Sequence, residues 1–255
     1  MADTQIIIDV HAHLGVDVVF DEELNEDQLI AAYQENGVFG GIVQPYLPRI
    51  YLEDHMAIHD RIFRLTQIES EKNHFWGMAS INPHFREEDY VKEAVRCIKD
   101  LGFVGIKITP IGHATHPSSR DAMVVWETCR QLKVPLMIHT GAGIPFSDPI
   151  SVAPALELYR DVPCVLAHAG SEMHNQQALY LAKKFDNVFL EPSWVGVLGV
   201  KKMIEQIGCS KILFSTDNIF NIPVEIAKYR SLIKNREDLD KVLYKNAILL
   251  YKLKF

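Results

Sequence analysis

The stretch between residues 134 and 170 decides the fold. It opens with VPLMIHTG (134–141), continues through a helical pattern at 152–159, and closes with CVLAHAG (164–170). Both outer segments are short apolar runs that end in a histidine and a glycine, and the segment between them has the period of an amphipathic helix. A strand, a helix and a second strand in this order predict a βαβ unit with parallel strands.

The same alternation continues in both directions along the chain. Further strands are predicted at 5–10, 38–44, 75–81, 103–109, 188–191 and 212–215. Helices are predicted at 23–36, 54–72, 87–101, 120–132, 175–185, 200–207, 224–233 and 237–251. Eight strands, each followed by a helix, within 255 residues predict one (β/α)8 barrel that occupies residues 1–255 as a single domain.

Composition excludes several classes of protein. Hydrophobic residues make up 48% of the chain, enough for a large core, and the net charge of −7 argues against nucleic acid as a partner. No apolar run reaches the roughly 20 residues of a membrane helix, and the first residues lack a signal peptide. The four cysteines are widely spaced, which favours free thiols over disulfides. We therefore expect a cytoplasmic protein that does not bind membranes.

Chemically capable side chains follow several of the predicted strands. The first strand is followed by His11 and His13, the fifth ends in His139, the sixth in His168, and the eighth is followed by Asp217. Active sites of barrel enzymes lie at the C-terminal ends of the strands. His11 and His13, two residues apart, would face the same side of a strand, and His139 and Asp217 would complete the ligands of one divalent metal ion. Imidazole and carboxylate suit Zn²⁺ first, and also Mn²⁺, Fe²⁺ or Ni²⁺.

Each of these residues also has an ordinary interpretation. Two close histidines occur by chance, a histidine after a strand is often a hydrogen-bonded core residue, and an aspartate there often caps the next helix. The coincidence favours the metal site, because four of the 11 histidines fall at predicted strand ends. We expect five other histidines to be ordinary surface or helix residues: His55, His59, His74, His84 and His174.

The residues that end the strands resemble a known family. The order H-x-H (11–13), IHTG (138–141), LAHAG (166–170) and FSTDN (214–218) is similar to that of the amidohydrolase superfamily. GMASINPHF (77–85) and GFVGIKITP (102–110) resemble its amidohydrolase-related branch, which contains small-molecule hydrolases, lactonases and non-oxidative decarboxylases. The resemblance covers nearly the whole chain and is not specific to a substrate.

The resemblance implies roles for individual residues. His11, His13, His139 and Asp217 would ligate the metal, His168 would orient or polarise the substrate or a bound water, and Asp217 would also accept a proton from that water. Other branches hold two metals bridged by a carbamylated lysine on strand four, so Lys107 is a candidate second-metal bridge.

Six further residues lie on or just after predicted strand ends and are candidates for substrate binding. Arg49 suits a substrate carboxylate, although an exposed loop cation is an equal interpretation. His113 and His116 form a second close pair that lines the pocket or lies on an exposed loop. The complete set is Tyr46, Arg49, His113, His116, Trp194 and Asn218.

The functional prediction is a metal-dependent hydrolase of a small-molecule amide, lactone or ester that uses a metal-activated water. The chain is short for the decarboxylases of this branch, which favours the hydrolase. A decarboxylase (a lyase) of an aromatic or unsaturated carboxylic acid would use the same ligands, and a non-catalytic barrel with a structural metal is a third class. The expected partner is a small molecule, a carboxylate among the candidates, and a homodimer is compatible with the sequence.

Overall fold

The structure is a computed structural model that describes residues 5–68, 74–141 and 145–254. Residues 69–72 of the helix predicted at 54–72 lie outside the described residues. Nine strands are found within them: β1 Ile8–Val16, β2 Glu23–Leu24, β3 Gly40–Pro45, β4 His74–Gly77, β5 Ala79–Ser80, β6 Ile106–Ile108, β7 Leu136–His139, β8 Cys164–Ala167 and β9 Val188–Glu191.

All strand pairs are parallel except that of β1 with the short β2. One sheet has the order β2-β1-β3-β4 and the other β5-β6-β7-β8-β9. Between them, the Met78 N–H donates to the Val43 carbonyl and the Ala79 N–H to the Gly105 carbonyl. β4 and β5 are therefore one strand position of the barrel, broken at Met78.

The predicted eighth strand is not a regular strand, but it closes the barrel. Leu190 makes backbone hydrogen bonds on one side of this segment, with the Lys211 carbonyl and the Leu213 N–H. On the other side, the Val10 N–H donates to the Phe214 carbonyl, and the Asp217 N–H donates to the His11 carbonyl. The architecture is a (β/α)8 barrel, as predicted.

The helices form the outer layer, and most begin within three residues of their predicted starts. The third and last predicted helices each contain a π-helical turn, at Arg96–Asp100 and Lys241–Lys245. The α-helices are α1 Glu26–Asn36, α2 Leu52–Thr66, α3 Glu87–Val95, α4 Met123–Leu132, α5 Ala153–Leu158, α6 Ser171–Lys184, α7 Val197–Ile207, α8 Ile222–Leu232, α9 Arg236–Asp240 and α10 Asn246–Tyr251.

The core has two parts, as the two faces of a barrel require. Alternate strand residues such as Ile8, Val10, Ile42 and Met137 fill the barrel interior, and the larger cluster lies between the strands and the helices. All four cysteines are buried free thiols. No helix among the described residues has the length and apolarity needed to cross a membrane.

Candidate metal centre

A β-bulge in β1 directs the first two histidines into the barrel mouth, the end of the barrel where the strands finish. The register between β1 and β3 shifts by one residue between Asp9 and Ala12. Alternation alone would place His11 on the opposite face from Val10, which lies in the interior. The bulge reverses the alternation of side chains along β1. Ala12 therefore packs between the strands and the helices, while His11 and His13 face the barrel interior. β1 continues to Val16, so both histidines lie within the strand and not after it.

Sequence reasoning did not identify Asp9, which holds the bulge in place. Its buried carboxylate accepts the N–H groups of His11 (3.0 Å) and Thr216 (3.1 Å) and the hydroxyl group of Tyr33 (3.0 Å). Burial raises the pKa of Asp9 to about 7, although these hydrogen bonds oppose the shift. Asp9 thus links β1 to the segment that carries Asp217.

Three of the predicted ligands converge at the mouth. The Nε2 atoms of His11 and His13 lie 3.0 Å apart. Asp217 Oδ1 lies 3.2 Å from the first and 3.3 Å from the second. Two imidazole nitrogens and a carboxylate oxygen at this spacing can coordinate one metal ion.

His168 and His139 extend this group along the mouth. His168 Nε2 lies 4.0 Å from Asp217 Oδ1, and its ring centroid is 4.9 Å from that of His11. The ring of His139 stands edge-on to that of His168 with centroids 4.7 Å apart. His139 Nε2 is buried and has no hydrogen-bond partner among the described residues. An orphaned imidazole nitrogen at this place is what a missing cation would leave. We call His11, His13, His139, His168 and Asp217 the mouth cluster.

Glu191 is a functional residue that sequence reasoning did not single out, although it ends β9 where the other candidates end their strands. Its Oε2 atom lies 2.7 Å from His11 Nδ1 and accepts the backbone N–H of His168 at 3.1 Å. Burial alone would raise the pKa of Glu191, but His11 and the other partners lower it to about 2. A carboxylate behind a ligating histidine fixes the ring orientation and directs Nε2 towards a metal.

Lys107 reaches into the mouth cluster from β6. Its side chain is buried, and Nζ lies 2.5 Å from His11 Nε2. Burial lowers the pKa of Lys107 to about 8, so the ammonium group is protonated at pH 7. This position is compatible with the predicted bridging role and equally with a cation that faces a substrate, and the bridge stays a prediction.

The donor set fits one divalent metal ion. Burial and the nearby Lys107 lower the pKa of His11 to about 3, and burial is also the main cause of the lowered pKa of His13 and His139. These imidazoles are therefore neutral, which is the form that binds metals. Burial raises the pKa of Asp217, but His168 and the hydrogen bond from His13 outweigh that effect and hold it well below its ordinary range.

The backbone is strained where the mouth cluster is assembled. His168, Trp194 and Asp217 have φ angles of 59°, 65° and 64°, in the left-handed region that side chains with a Cβ rarely adopt. Such conformations persist only where the surrounding structure enforces them, and they concentrate at functional sites.

Two of the six candidate substrate-binding residues contact the mouth cluster directly. The ring of Tyr46 stacks on His13 with centroids 4.6 Å apart. The indole Nε1 of Trp194 donates to Asp217 Oδ2 at 2.8 Å. Both residues lie on loops that follow strands, as predicted.

The other four lie around the mouth without such a contact. Arg49 is exposed on the loop after β3. His113 is buried, whereas His116 is half-buried and stands edge-on to the ring of Phe146. Asn218 caps the turn that follows it by accepting the Phe220 N–H at 3.4 Å. Their predicted roles in substrate binding stay predictions.

A second group with metal-compatible spacing lies between α2 and α3, where no site was predicted. It consists of His59, Glu93 and Cys97, which we call the side cluster. His55 and His59 were predicted to be surface or helix residues. Both lie in α2 and both are buried, so only the surface alternative is wrong. They share one face of α2 with Ile62 at intervals of four and three residues.

Comparison with known proteins agrees with this architecture. A family model described as amidohydrolase matches residues 8–253. The 2,6-dihydroxybenzoate decarboxylase from Rhizobium superimposes with a TM-score of 0.77 at 16% identity, covering 97% of this chain and 98% of that chain.

Two further solved structures have the same fold. The 5-carboxyvanillate decarboxylase from Novosphingobium aromaticivorans, in complex with manganese and 4-hydroxy-3-methoxy-5-nitrobenzoic acid, has a TM-score of 0.78 at 14% identity, covering 98% and 96% of the two chains. The 4-oxalomesaconate hydratase from Rhodopseudomonas palustris has a TM-score of 0.71 at 16% identity, covering 96% and 95%. Identities this low show the fold alone, whereas the family model spans nearly the whole chain: the protein belongs to the amidohydrolase family.

Proposed function

We propose that this protein is a divalent-metal-dependent decarboxylase that removes CO₂ from an aromatic or unsaturated carboxylic acid. The observation that carries the proposal is the buried side chain of Lys107, whose Nζ lies 2.5 Å from Nε2 of His11 in the mouth cluster. A cation beside a metal site is complementary to a carboxylate substrate, and it attracts a neutral amide or lactone less strongly.

The similar structures support this choice over hydrolysis. Two of them are decarboxylases of aromatic acids, and a third is a hydratase, which like a decarboxylase is a lyase. The match to the Rhizobium decarboxylase covers 98% of that protein. The shortness of this chain, which favoured a hydrolase at first, therefore does not separate the two activities.

We assign the metal ligands as His11, His13, His139 and Asp217. A divalent ion held there would supply positive charge beside the oxygen atoms of the substrate. The relatives with bound manganese make Mn²⁺ as good a candidate as Zn²⁺. His168, which Ser193 orients through a 2.8 Å contact at Nδ1, presents its Nε2 atom to the same space.

The reaction needs no oxidant. The bond between the carboxylate carbon and the substrate carbon breaks, its electron pair stays on the substrate carbon, CO₂ leaves, and that carbon takes a proton. We assign Asp217 to deliver this proton. Its carboxylate is ionised at rest and its side chain is 25% exposed, so it first takes up a proton from solvent and then passes it to the carbon. Lys107 holds the substrate carboxylate before the bond breaks.

Hydrolysis is the second candidate, and one observation favours it. The pKa of Asp217 lies well below its ordinary range, because His168 and the hydrogen bond from His13 outweigh the effect of burial. An ionised Asp217 is suited to accept a proton from water, which hydrolysis requires at the same atom. The two activities therefore differ in the direction of the proton transfer and in the product.

A single assay distinguishes the two activities. Protein reconstituted with Mn²⁺ or Zn²⁺ is incubated with 2,6-dihydroxybenzoate, 5-carboxyvanillate, and a panel of lactones and amides, and released CO₂ and acid are measured. In D₂O, the decarboxylated product should carry deuterium at the vacated carbon. Acid release from a lactone or amide, without CO₂ from any carboxylate, would contradict the proposal.

Asp217→Asn tests the assigned proton donor. We expect activity to fall by about 100-fold or more while a metal still binds, because the amide neither delivers nor accepts the proton. Asp186→Asn is the matched control, since Asp186 is fully exposed and should keep wild-type activity. Near-normal turnover by Asp217→Asn would show that another group moves the proton.

A further inference from the structure

Among the described residues, eight buried side-chain polar atoms have no hydrogen-bond partner, and four of them belong to residues on the strands and loops of the barrel mouth. These four are both amide atoms of Gln44, Nε2 of His113 and Nε2 of His139. A buried donor or acceptor without a partner destabilises a folded protein, so each such group calls for an explanation. The metal centre explains His139, and Gln44 and His113 have no role in it.

Gln44 faces the interior of the mouth beside the metal centre. It is the register partner of His13 on the neighbouring parallel strand, so both side chains lie on the same face of the sheet. Ile42, two residues earlier, packs inside the barrel, which confirms the inward direction of Gln44. Its side chain is completely buried.

His113 approaches the mouth from the loop that follows β6. This loop meets the loop after β3 where Leu47 packs against Gly112, so closely that a side chain at Gly112 would overlap it. His113 is buried close to this contact, with its ring centroid 6.3 Å from that of His55. His55 in turn contacts the Ser80 carbonyl at the end of β5, at 2.9 Å.

The contacts of His113 fix its protonation. Nδ1 accepts the backbone N–H of Thr109 at 3.3 Å, so the neutral ring carries its hydrogen on Nε2. Burial, His55 and Lys107 lower the pKa of His113 to about 3, and the ring is neutral at pH 7. His113 therefore presents a buried N–H donor that no described residue accepts.

We propose that Gln44 and His113 form the recognition side of the mouth, which binds an oxygen substituent of the substrate while the metal centre and Lys107 hold its reacting group. Gln44 lies beside His13 on the neighbouring strand, and His113 follows β6, the strand that carries Lys107, so both residues lie near the groups that would hold the reacting group. Gln44 both donates and accepts and His113 donates, so a hydroxyl group is the substituent that satisfies both. The class of substrate in this inference rests on the proposed function, whereas the subsite itself would exist whichever reaction the protein catalyses.

The first test measures stability and needs no substrate. Replacing an unpartnered buried amide by an apolar side chain of similar size removes a destabilising group, so Gln44→Met should raise the Tm of metal-free protein by about 2–4 °C. Asn246→Leu is the contrasting variant. Its amide is buried and donates to the Cys209 and Ile212 carbonyls at 2.8 Å, so its Tm should fall. Gln131→Met, on the exposed side of α4, should leave Tm unchanged.

The second test measures recognition. Calorimetric titration of metal-loaded protein compares 4-hydroxybenzoate with benzoate, which differ by one hydroxyl group that cannot chelate a metal together with the carboxylate. We expect wild type to bind 4-hydroxybenzoate about tenfold more tightly, and Gln44→Met and His113→Phe to reduce that ratio towards one with unchanged metal content.

The outcomes separate this inference from the proposed function. A fall in Tm for Gln44→Met like that of Asn246→Leu would overturn it, as would equal binding of the two probes by wild type or an unchanged ratio in both variants. If the protein releases no CO₂ from any acid but the ratio shifts as expected, the recognition subsite holds and the decarboxylase assignment fails.

Discussion

Among the described residues, the mouth cluster and the side cluster both combine histidines with a carboxylate, and they differ in what their polar atoms contact. In the side cluster every ring nitrogen of His59 has a partner: Nδ1 lies 2.8 Å from Glu93 Oε1, and Nε2 accepts the Ser80 N–H at 3.1 Å. Arg96 contacts both carboxylate oxygens of Glu93, at 2.7 and 2.8 Å. This group is complete without a ligand.

The mouth cluster is incomplete by the same criterion. Lys107 Nζ contacts Nε2 of His11, but the Nε2 atoms of His11 and His13 face each other at 3.0 Å, where one proton at most fits between them, and His139 Nε2 has no partner among the described residues. Both groups have metal-compatible spacing. The difference teaches that proximity alone does not indicate a metal site, whereas convergent imidazoles of which one is buried without a partner do.

The largest expected effect follows from removing ligands at the mouth. His11→Ala/His13→Ala should lose the bound metal and reduce activity by about 1,000-fold or more, because half of the proposed ligand set is gone. His59→Gln, from the side cluster, should keep wild-type metal content. Metal is measured per chain by elemental analysis after purification without added metal.

The stoichiometry also decides the role of Lys107. About one equivalent per wild-type chain supports a mononuclear centre, and about two equivalents would make Lys107 the bridging ligand. Metal lost equally from His59→Gln and from the double variant would remove the distinction between the clusters.

The second effect is on stability and belongs to the side cluster. Glu93→Gln should lower the free energy of unfolding by about 3 kcal/mol, because it leaves Arg96 and His59 facing a neutral group. Metal content should stay the same. Urea unfolding measures the change, with Glu88→Gln on the exposed face of the same helix as the matched control.

The pH dependence of this effect has a definite sign. Burial alone would raise the pKa of Glu93, but hydrogen bonds from His59 and Arg96 lower it from 4.5 to about 2. A carboxylate with a lowered pKa contributes stability above pH 4.5 and loses that contribution as pH falls towards 2. The difference in the free energy of unfolding between wild type and Glu93→Gln should therefore shrink as pH falls from 4.5 towards 2. A difference that stays constant down to pH 2 would mean that the charge of Glu93 is not its cause.

The sequence predicted the barrel and the mouth cluster better than it predicted their supports. Strand-end histidines are local signals, because they follow apolar runs and need no knowledge of distant contacts. Glu191 also ends a strand, but its partner His11 lies 180 residues away, so only the closed barrel identifies its role. The β1 bulge is equally invisible in the sequence, since alternation within a strand predicts no change of phase.

The side cluster was missed for a different reason. His55, His59 and Ile62 follow the spacing of a buried helical face, so a signal existed, but histidine is polar enough that the pattern was not counted as apolar. Gln44 was missed in the same way. It lies within an apolar strand, and only its register with His13 shows that it faces the mouth.

The smallest effect concerns Trp194, which donates to Oδ2 of Asp217, whereas Arg96 donates to both carboxylate oxygens of Glu93. The Trp194 indole is neutral and 42% exposed, so its hydrogen bond contributes less than the buried ion pair does. Trp194→Phe keeps an aromatic ring and removes the N–H. We expect activity to fall by about three- to tenfold, with a change in the free energy of unfolding below about 1 kcal/mol.

Fluorescence gives a readout of Trp194 that does not depend on the substrate. The indoles of Trp126 and Trp76 donate to the backbone carbonyls of Pro117 at 2.9 Å and Lys254 at 3.3 Å, whereas the indole of Trp194 donates to Asp217, a proposed ligand. Metal titration should change the emission of wild type, and Trp194→Phe should lose most of that change while still binding metal by calorimetry. An undiminished fluorescence response in Trp194→Phe would mean that another tryptophan reports metal binding. Asp217 would then be oriented by its strained backbone and the histidines, without a contribution from Trp194.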